Sequence, residues 1–145
     1  MKITIESIPE GSEPEIILRC NEPDENLLQL IYSLKSTSRK LIGLTGSQIY
    51  IIDPRDVFYF EAVDNKVFIY CKERVYESRL RLYELEADYG SRDFFRASKS
   101  VILNIAKIRS VHPILYGRLE ALLHNGEKVL ISRQYVPVLK HKLGI

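Results

Sequence analysis

Apolar and polar residues alternate along most of this chain, and alternation is typical of strands with one buried face. Strands are predicted at 2–8 and 15–20, on either side of the turn-forming residues 9–14. A helix is predicted next, with Pro23 in its first turn and an apolar stripe at helical spacing formed by Leu27, Leu30, Ile31 and Leu34. Residues 1–45 are therefore interpreted as a short β/α segment.

From residue 46 onward the pattern predicts a mainly β domain with small helices, which ends at residue 145. The Asn125-Gly126 pair gives the strongest hairpin signal and favours a type I′ turn, in which both residues have positive φ. Helices are predicted at 78–89 and 135–143, because apolar residues recur at helical spacing and a glycine follows each. Strands are predicted at 40–45, 48–52, 57–62, 66–72, 119–123 and 128–131.

Length and charge allow one domain with an appendage. The chain has 145 residues, of which 46% are hydrophobic, and a net charge of +2. Residues 1–45 hold 5 Lys/Arg against 7 Asp/Glu, whereas residues 46–145 hold 16 against 12. The basic excess therefore belongs to the predicted β domain, where it permits a polyanionic partner without establishing one.

The two cysteines and the hydropathy indicate a reducing compartment. Cys20 and Cys71 lie far apart in apolar runs, so both are interpreted as reduced core residues, with a disulfide between them as the alternative. No apolar stretch approaches the roughly 18 residues that a membrane span requires. The protein is therefore expected to be cytoplasmic, without a membrane partner.

Candidate catalytic chemistry is sparse, so neither an enzyme nor a cofactor is predicted. No histidine pair has zinc-ligand spacing, and no glycine-rich phosphate loop is present. The histidines are interpreted as surface residues and are His112, His124 and His141. A cation site remains an alternative for four acids that are better explained as a capped turn with solvated carboxylates: Asp53, Asp56, Glu61 and Asp64.

Basic residues stand at the ends of apolar runs and are the better candidates for function. Lys66 lies at a hairpin turn, Arg96 and Lys99 flank a loop, and Arg133 follows a strand. Loops carried on rigid strands commonly hold binding residues. The alternative is that each is a solvated charge or an ion-pair partner.

Over residues 46–145 the chain resembles the LytTR DNA-binding domain of bacterial transcription regulators. The pattern Phe-x-Arg-x-x-Lys-Ser-x-x-Leu-Asn at 94–104 resembles the family's Phe-x-Arg-x-His-(Arg/Lys)-Ser block. Three further blocks occur in the same order as in the family: an opening strand at 56–61, a short helix at 80–86 and a Ser-Arg segment at 131–135.

The resemblance implies an elongated β fold of about ten strands that reads successive major grooves with loop side chains. Lys99 and Arg133 match base-contacting positions of the family, and Lys66 lies in the hairpin of a further contact. Ser100 and Asn104 match polar positions of the motif, for which a DNA contact and a scaffold role both remain open.

Three features depart from or refine the family pattern. Ser98 replaces the usual histidine, which puts any contact of that ring in doubt. Arg96 is expected to pair with a carboxylate inside the fold and to hold the recognition loop. Residues 1–45 are too few for a receiver domain, so control by aspartyl phosphorylation on this chain is not expected.

The resulting hypothesis is a sequence-specific regulator that binds double-stranded DNA, as a homodimer on direct repeats. Its acidic N-terminal segment is expected to mediate dimerisation or partner binding. The alternative is a protein-interaction or small-ligand-sensing module that has kept the fold and lost DNA binding.

Overall fold

The computed structural model describes residues 2–36, 40–90 and 93–145, and these form a mainly β structure with three α-helices. The helices are α1 (Glu25–Ser36), α2 (Leu82–Tyr89) and α3 (Val136–Leu143). The strands are β1 (Leu41–Thr45), β2 (Gln48–Ile52), β3 (Val57–Val63), β4 (Lys66–Cys71), β5 (Val75–Ser78), β6 (Phe94–Arg96), β7 (Val101–Asn104), β8 (Ile108–Pro113), β9 (Leu119–Leu123) and β10 (Lys128–Ile131). The predicted fold class of about ten strands is confirmed.

The strands form two antiparallel sheets. One has seven strands in the order β2-β1-β5-β4-β3-β7-β6, and the other has three in the order β10-β9-β8. The larger sheet includes β1, which pairs with β2 along its whole length and with β5 at Leu44. The sheet therefore extends N-terminal to residue 46, where the sequence pattern placed the start of the β domain.

The larger sheet is buried on both faces in its central strands. In β7, Ile102 packs into one apolar cluster, whereas Val101 and Leu103 pack into the other. The first cluster is covered by α2, and the second by the smaller sheet and α3. The α2 residues concerned are Leu82, Leu85 and Tyr89. Alternation along a strand thus supplies side chains to two cores, which fixes the register of β3, β7 and β6.

Helix α1 forms where the sequence predicts a helix, but it begins at Glu25, so Pro23 precedes the helix rather than lying in its first turn. Its first turn is capped by Asp24, whose carboxylate accepts a hydrogen bond of 2.8 Å from the Leu27 N–H. The half-buried residues of its stripe are Leu27, Leu30 and Ile31, whereas Leu34 is exposed. The helix packs against α2.

The strands predicted at 2–8 and 15–20 do not form. Residues 2–24 hold only a turn, in which the Ser12 N–H donates to the Pro9 carbonyl over 3.1 Å. Alternating isoleucines are present, but a strand also needs a partner for its backbone groups, and among the described residues no strand pairs with these. Ile3 and Ile5 are consequently 83% and 93% exposed.

The prediction that both cysteines are core residues was also wrong for Cys20. Both thiols are free, but Cys20 lies in the N-terminal segment and is exposed. Cys71 is half-buried at the end of β4, and burial raises the pKa of its thiol to about 11. Cys71 is thus a poorly reactive thiol, as expected of a residue beside a core.

Local rules predicted one turn type and one element boundary incorrectly. The turn at Asn125-Gly126 is not type I′, because of these two residues only the glycine has positive φ, and the Gly126 N–H donates to the Leu123 carbonyl over 3.0 Å. Type I′ geometry occurs instead at Asp64 and Asn65, with φ of 50° and 63°. Helix α2 starts at Leu82 rather than at residue 78, because β5 continues through Ser78.

Candidate nucleic-acid interface

Three loops carrying the predicted basic residues meet at one end of the two sheets. The β3–β4 turn leads into Lys66, and the Ala62 N–H just before it donates to the Ser100 carbonyl over 2.8 Å. The segment after β10 is tied to the same place, because the Ser132 N–H donates to the Ala97 carbonyl over 2.8 Å. We call residues 64–66, 97–100 and 132–133 the loop surface.

The loop surface presents three cationic side chains to solvent. Lys66, Lys99 and Arg133 are all exposed, and none forms an ion pair with a carboxylate of a described residue. The acid within the surface is Asp64, which stands in the β3–β4 turn and is exposed. Three unpaired cations on loops braced by backbone hydrogen bonds can contact a polyanion without first breaking a native interaction.

Arg96 holds the β6–β7 loop as predicted. Its Nε and Nη2 donate to one Glu86 carboxylate oxygen over 3.1 and 2.9 Å, and its Nη1 donates to the Lys99 carbonyl over 2.7 Å. The Arg96 and Glu86 side chains are only 16% and 34% exposed. One guanidinium therefore links α2 to the backbone of the residue that precedes Ser100.

Replacing Arg96 by lysine is expected to loosen this loop although the charge is kept. An ammonium cannot make the three bonds at once, and a hydrogen bond to a charged group contributes about 1.5–3 kcal/mol. Amide hydrogen exchange at residues 97–100 should accelerate about tenfold or more. Arg79→Lys, at an exposed arginine outside the loop surface, is the control. Unchanged exchange in Arg96→Lys would remove the positioning role.

The two serines of this loop bind each other. The Ser100 N–H donates to the Ser98 Oγ over 3.3 Å, and the two hydroxyl oxygens are 3.4 Å apart. Both residues are half-buried. Ser98, which stands where the family motif has histidine, thus contributes to the shape of the loop, and Ser100 keeps a hydroxyl near the exposed side of Lys99.

Asn104 is not brought to the loop surface. It ends β7 at the opposite end of that strand from Ser100 and is only 2% exposed. Its Nδ2 donates to the Val57 carbonyl over 2.7 Å, and its Oδ1 accepts the Ala106 N–H over 3.0 Å. Both ends of the amide are hydrogen-bonded within the fold, which favours a scaffold role over a DNA contact.

A fourth loop, which the sequence pattern did not single out, lies beside Arg133. It joins β8 to β9 at residues 114–118, and a Cβ placed on Gly117 would lie only 2.9 Å from the Arg133 Cδ. Leu115 and Tyr116 in this loop are 73% and 80% exposed. The available signal was two large apolar residues directly before a glycine, between two strands, where polar turn residues are usual.

The four acids weighed as a cation site do not converge. Asp53 caps the short helix Pro54–Asp56 and pairs with Arg55 at 2.7 Å, and the hydrogen bond from Arg55 holds the pKa of Asp53 below its ordinary value. Glu61 instead accepts a hydrogen bond from the Tyr70 hydroxyl. Among the described residues, no group of three or more acids, histidines or cysteines is placed to hold a metal ion.

A scan against protein-family models decides the family. The LytTR DNA-binding domain model matches residues 47–144. The chain belongs to the LytTR DNA-binding domain family. The match covers the loop surface, the fourth loop and both apolar clusters except Leu41, and it confirms the resemblance seen in the sequence blocks. Because this is a family of DNA-binding domains of regulators, the expectation that the chain is not an enzyme is also confirmed.

Relatives place the LytTR domain in two kinds of protein. The sensory transduction protein LytT of Enterococcus faecalis is 32% identical over 112 residues, which are 77% of this chain and 46% of LytT, so the match spans about half of that relative. A Staphylococcus aureus protein, named an uncharacterized HTH-type transcriptional regulator, is 26% identical over 147 residues, which are 100% of this chain and 99% of that protein. The chain is thus homologous to transcriptional regulators.

A solved LytTR DNA-binding domain of a Bacillus cereus protein has the same fold. It superposes with a TM-score of 0.69 at 24% identity and covers 74% of this chain and 99% of the solved chain. Along the described residues, strands separate each α-helix from the next. The helix-turn-helix named for the Staphylococcus relative therefore has no counterpart in the described part of this LytTR domain. Nor is any helix there long and apolar enough to cross a membrane.

Proposed function

We propose that this LytTR protein regulates transcription by binding double-stranded DNA sequence-specifically, with loop side chains entering the major groove. The observation that carries the proposal is the joint exposure of Lys66, Lys99 and Arg133 on three loops at one end of the fold. A protein-interaction module would have no need to gather unpaired cations there. The sheets act as the rigid support that sets the spacing of the loops.

Each cation suits a different contact. Arg133 can donate two parallel hydrogen bonds to O6 and N7 of a guanine, a pairing that contributes about 1–3 kcal/mol of discrimination. Lys99 can reach a single base acceptor or a phosphate, and Ser100 beside it can donate to a phosphate. Lys66, on the next loop, extends the contact along the duplex. Asn104 supports the loop indirectly, through the end of β7.

Selection from a randomised duplex library, followed by fluorescence anisotropy on the enriched sequence, tests this function. We expect one enriched motif and an affinity that falls with salt, with log K against log[salt] having a slope of about −3 or steeper for three or more neutralised phosphates. A scrambled duplex of the same composition is the control. Neither enrichment nor salt-dependent binding would favour the alternative, an interaction or ligand-sensing module.

We further propose that two copies act together on direct repeats in the cytoplasm, with the N-terminal residues joining them. Residues 2–24 carry 2 basic and 6 acidic residues, which suits a protein partner better than DNA. Their isoleucines Ile3, Ile5 and Ile16 are 83%, 93% and 70% exposed in the single chain. Burial between two copies would remove this apolar surface from water.

Light scattering on the full chain and on a variant lacking residues 2–20 tests the pairing. The full chain should have twice the 16.8 kDa mass of one copy, and the shortened chain, which retains α1 and its Asp24 cap, should have the single mass. Ile3→Ser with Ile5→Ser should act like the deletion. Thr4→Ser with Glu6→Gln is the control at neighbouring positions. Equal masses for the full and shortened chains would exclude this role.

A further inference from the structure

The loop between β8 and β9 has an unusual and well-braced backbone. Tyr116 and Gly117 both have left-handed φ, of 66° and 71°. The loop is closed by the Ile114 N–H on the Arg118 carbonyl at 3.0 Å, and the Arg118 Nε donates to the Leu115 carbonyl over 3.0 Å. A tyrosine is strained in this backbone conformation, which glycine adopts freely. Strain of this kind persists where the surroundings determine the conformation, and it is often found at binding sites.

The loop presents two large apolar side chains to solvent. Leu115 and Tyr116 are 73% and 80% exposed, so the loop gains little core burial from them. Arg118 is half-buried, and its guanidinium lies 5.7 Å from the centroid of the Tyr116 ring, which restricts that ring. A braced loop with an exposed apolar tip is suited to contact with another molecule.

The charged residues around this apolar tip indicate what kind of molecule it contacts. The methylene groups of Arg133 lie over Gly117, where an added Cβ would be 2.9 Å from Cδ and 3.1 Å from Cγ. The apolar tip is therefore flanked by two guanidinium groups, those of Arg133 and Arg118. A cationic border favours a polyanion over an apolar protein surface. In the DNA major groove, the apolar group presented beside the hydrogen-bonding edges is the thymine methyl.

We propose that Leu115 and Tyr116 contact thymine methyl groups next to the base pair read by Arg133, and so form a second specificity element. This inference rests on the proposed function. The absence of a side chain at Gly117 lets Arg133 lie against the loop, so the polar and the apolar contact are held at a fixed spacing. The selected DNA site should accordingly show a thymine within one or two base pairs of the guanine that Arg133 contacts.

Tyr116→Gly separates binding from folding. Glycine fits a φ of 66° without strain, so the melting temperature should stay equal or rise, whereas the affinity for the enriched duplex should fall about three- to tenfold with the lost apolar contact. Replacing the adjacent thymines by deoxyuracil removes only the methyl groups. The wild type should lose affinity on the uracil duplex, and Tyr116→Gly, in which only Leu115 keeps a methyl contact, should lose clearly less. Tyr83→Ala, at a 62% exposed tyrosine on α2, is the control.

The outcomes distinguish this inference from the function on which it rests. If the wild type enriches no sequence, the proposed function fails, and the inference fails with it. If the wild type enriches a motif but binds thymine and uracil duplexes equally, the methyl contact is excluded while sequence-specific binding stands. An equal loss for Tyr116→Gly on both duplexes, with the wild-type preference for thymine retained, would place its contact on the DNA backbone and overturn the proposal.

Discussion

Replacing Arg133 by alanine is expected to lower the affinity for the enriched duplex by about 5- to 150-fold, the factor that corresponds to a bidentate arginine–guanine contact of 1–3 kcal/mol. The fold should be unaffected, because Arg133 is exposed and forms no ion pair with a described carboxylate. Surface substitutions of this kind change stability by about 0.5 kcal/mol or less. Fluorescence anisotropy on the enriched and the scrambled duplex, with a melting curve for each protein, measures both effects.

Two control variants separate base reading from charge. Arg133→Lys keeps the positive charge but loses the planar pair of donors, so it should bind the scrambled duplex like the wild type and the enriched duplex nearly as weakly as Arg133→Ala. Lys72→Ala removes an exposed cation just after β4, at the opposite end of that strand from Lys66. If Lys72→Ala and Arg133→Ala weakened both duplexes equally, Arg133 would contribute only net charge.

Part of the loop surface could be predicted because residues 97–100 lie in a compact sequence motif. The block at 94–104 placed Lys99 on a loop, and Arg96 was expected to pair with a carboxylate inside the fold, which its bonds to Glu86 and to the Lys99 carbonyl confirm. The partner itself could not be predicted. Glu86 precedes Arg96 by ten residues on a separate helix, and only the packing of α2 on β6 brings them together.

The N-terminal segment shows the limit of periodicity. Alternation at Ile3 and Ile5 satisfies the side-chain condition for a strand, yet a strand also requires another strand in register, which a local pattern does not specify. The same limit applies to the prediction for Asn104. Its position in the motif is compatible with either role, and the choice depends on Val57, which precedes it by 47 residues and receives its hydrogen bond. In both cases the structural surroundings depend on long-range pairing rather than on local sequence.

Tyr116 was missed for the opposite reason. Its side chain is exposed, so burial patterns carry no information about it, and its left-handed backbone violates the usual preference for glycine, asparagine or aspartate at such positions. A turn that places another residue type at positive φ, against the local sequence preference, is a candidate functional site. The sequence indicated Arg133 as a binding residue, but it did not indicate the neighbouring loop at 114–118.

Replacing Asn104 by alanine should lower the stability of the fold by about 2–4 kcal/mol, which corresponds to about 6–12 °C in melting temperature for a chain of this size. The variant leaves the carbonyl of the buried Val57 without the 2.7 Å bond from Nδ2 and removes the Oδ1 cap on the Ala106 N–H. Urea unfolding and thermal melting measure the loss. Asn125→Ala, at an exposed hairpin amide whose Oδ1 accepts the Glu127 N–H, should cost about 1 kcal/mol or less.

DNA binding by Asn104→Ala then decides between the two roles that the motif left open. As a scaffold residue, Asn104 should affect binding only through the folded fraction, so at low temperature, where the variant is folded, its affinity for the enriched duplex should lie within about twofold of the wild type. A variant that melts like the wild type but loses affinity tenfold would instead make Asn104 a DNA contact. That result would require β7 to turn its end toward the duplex, against the buried amide geometry found here.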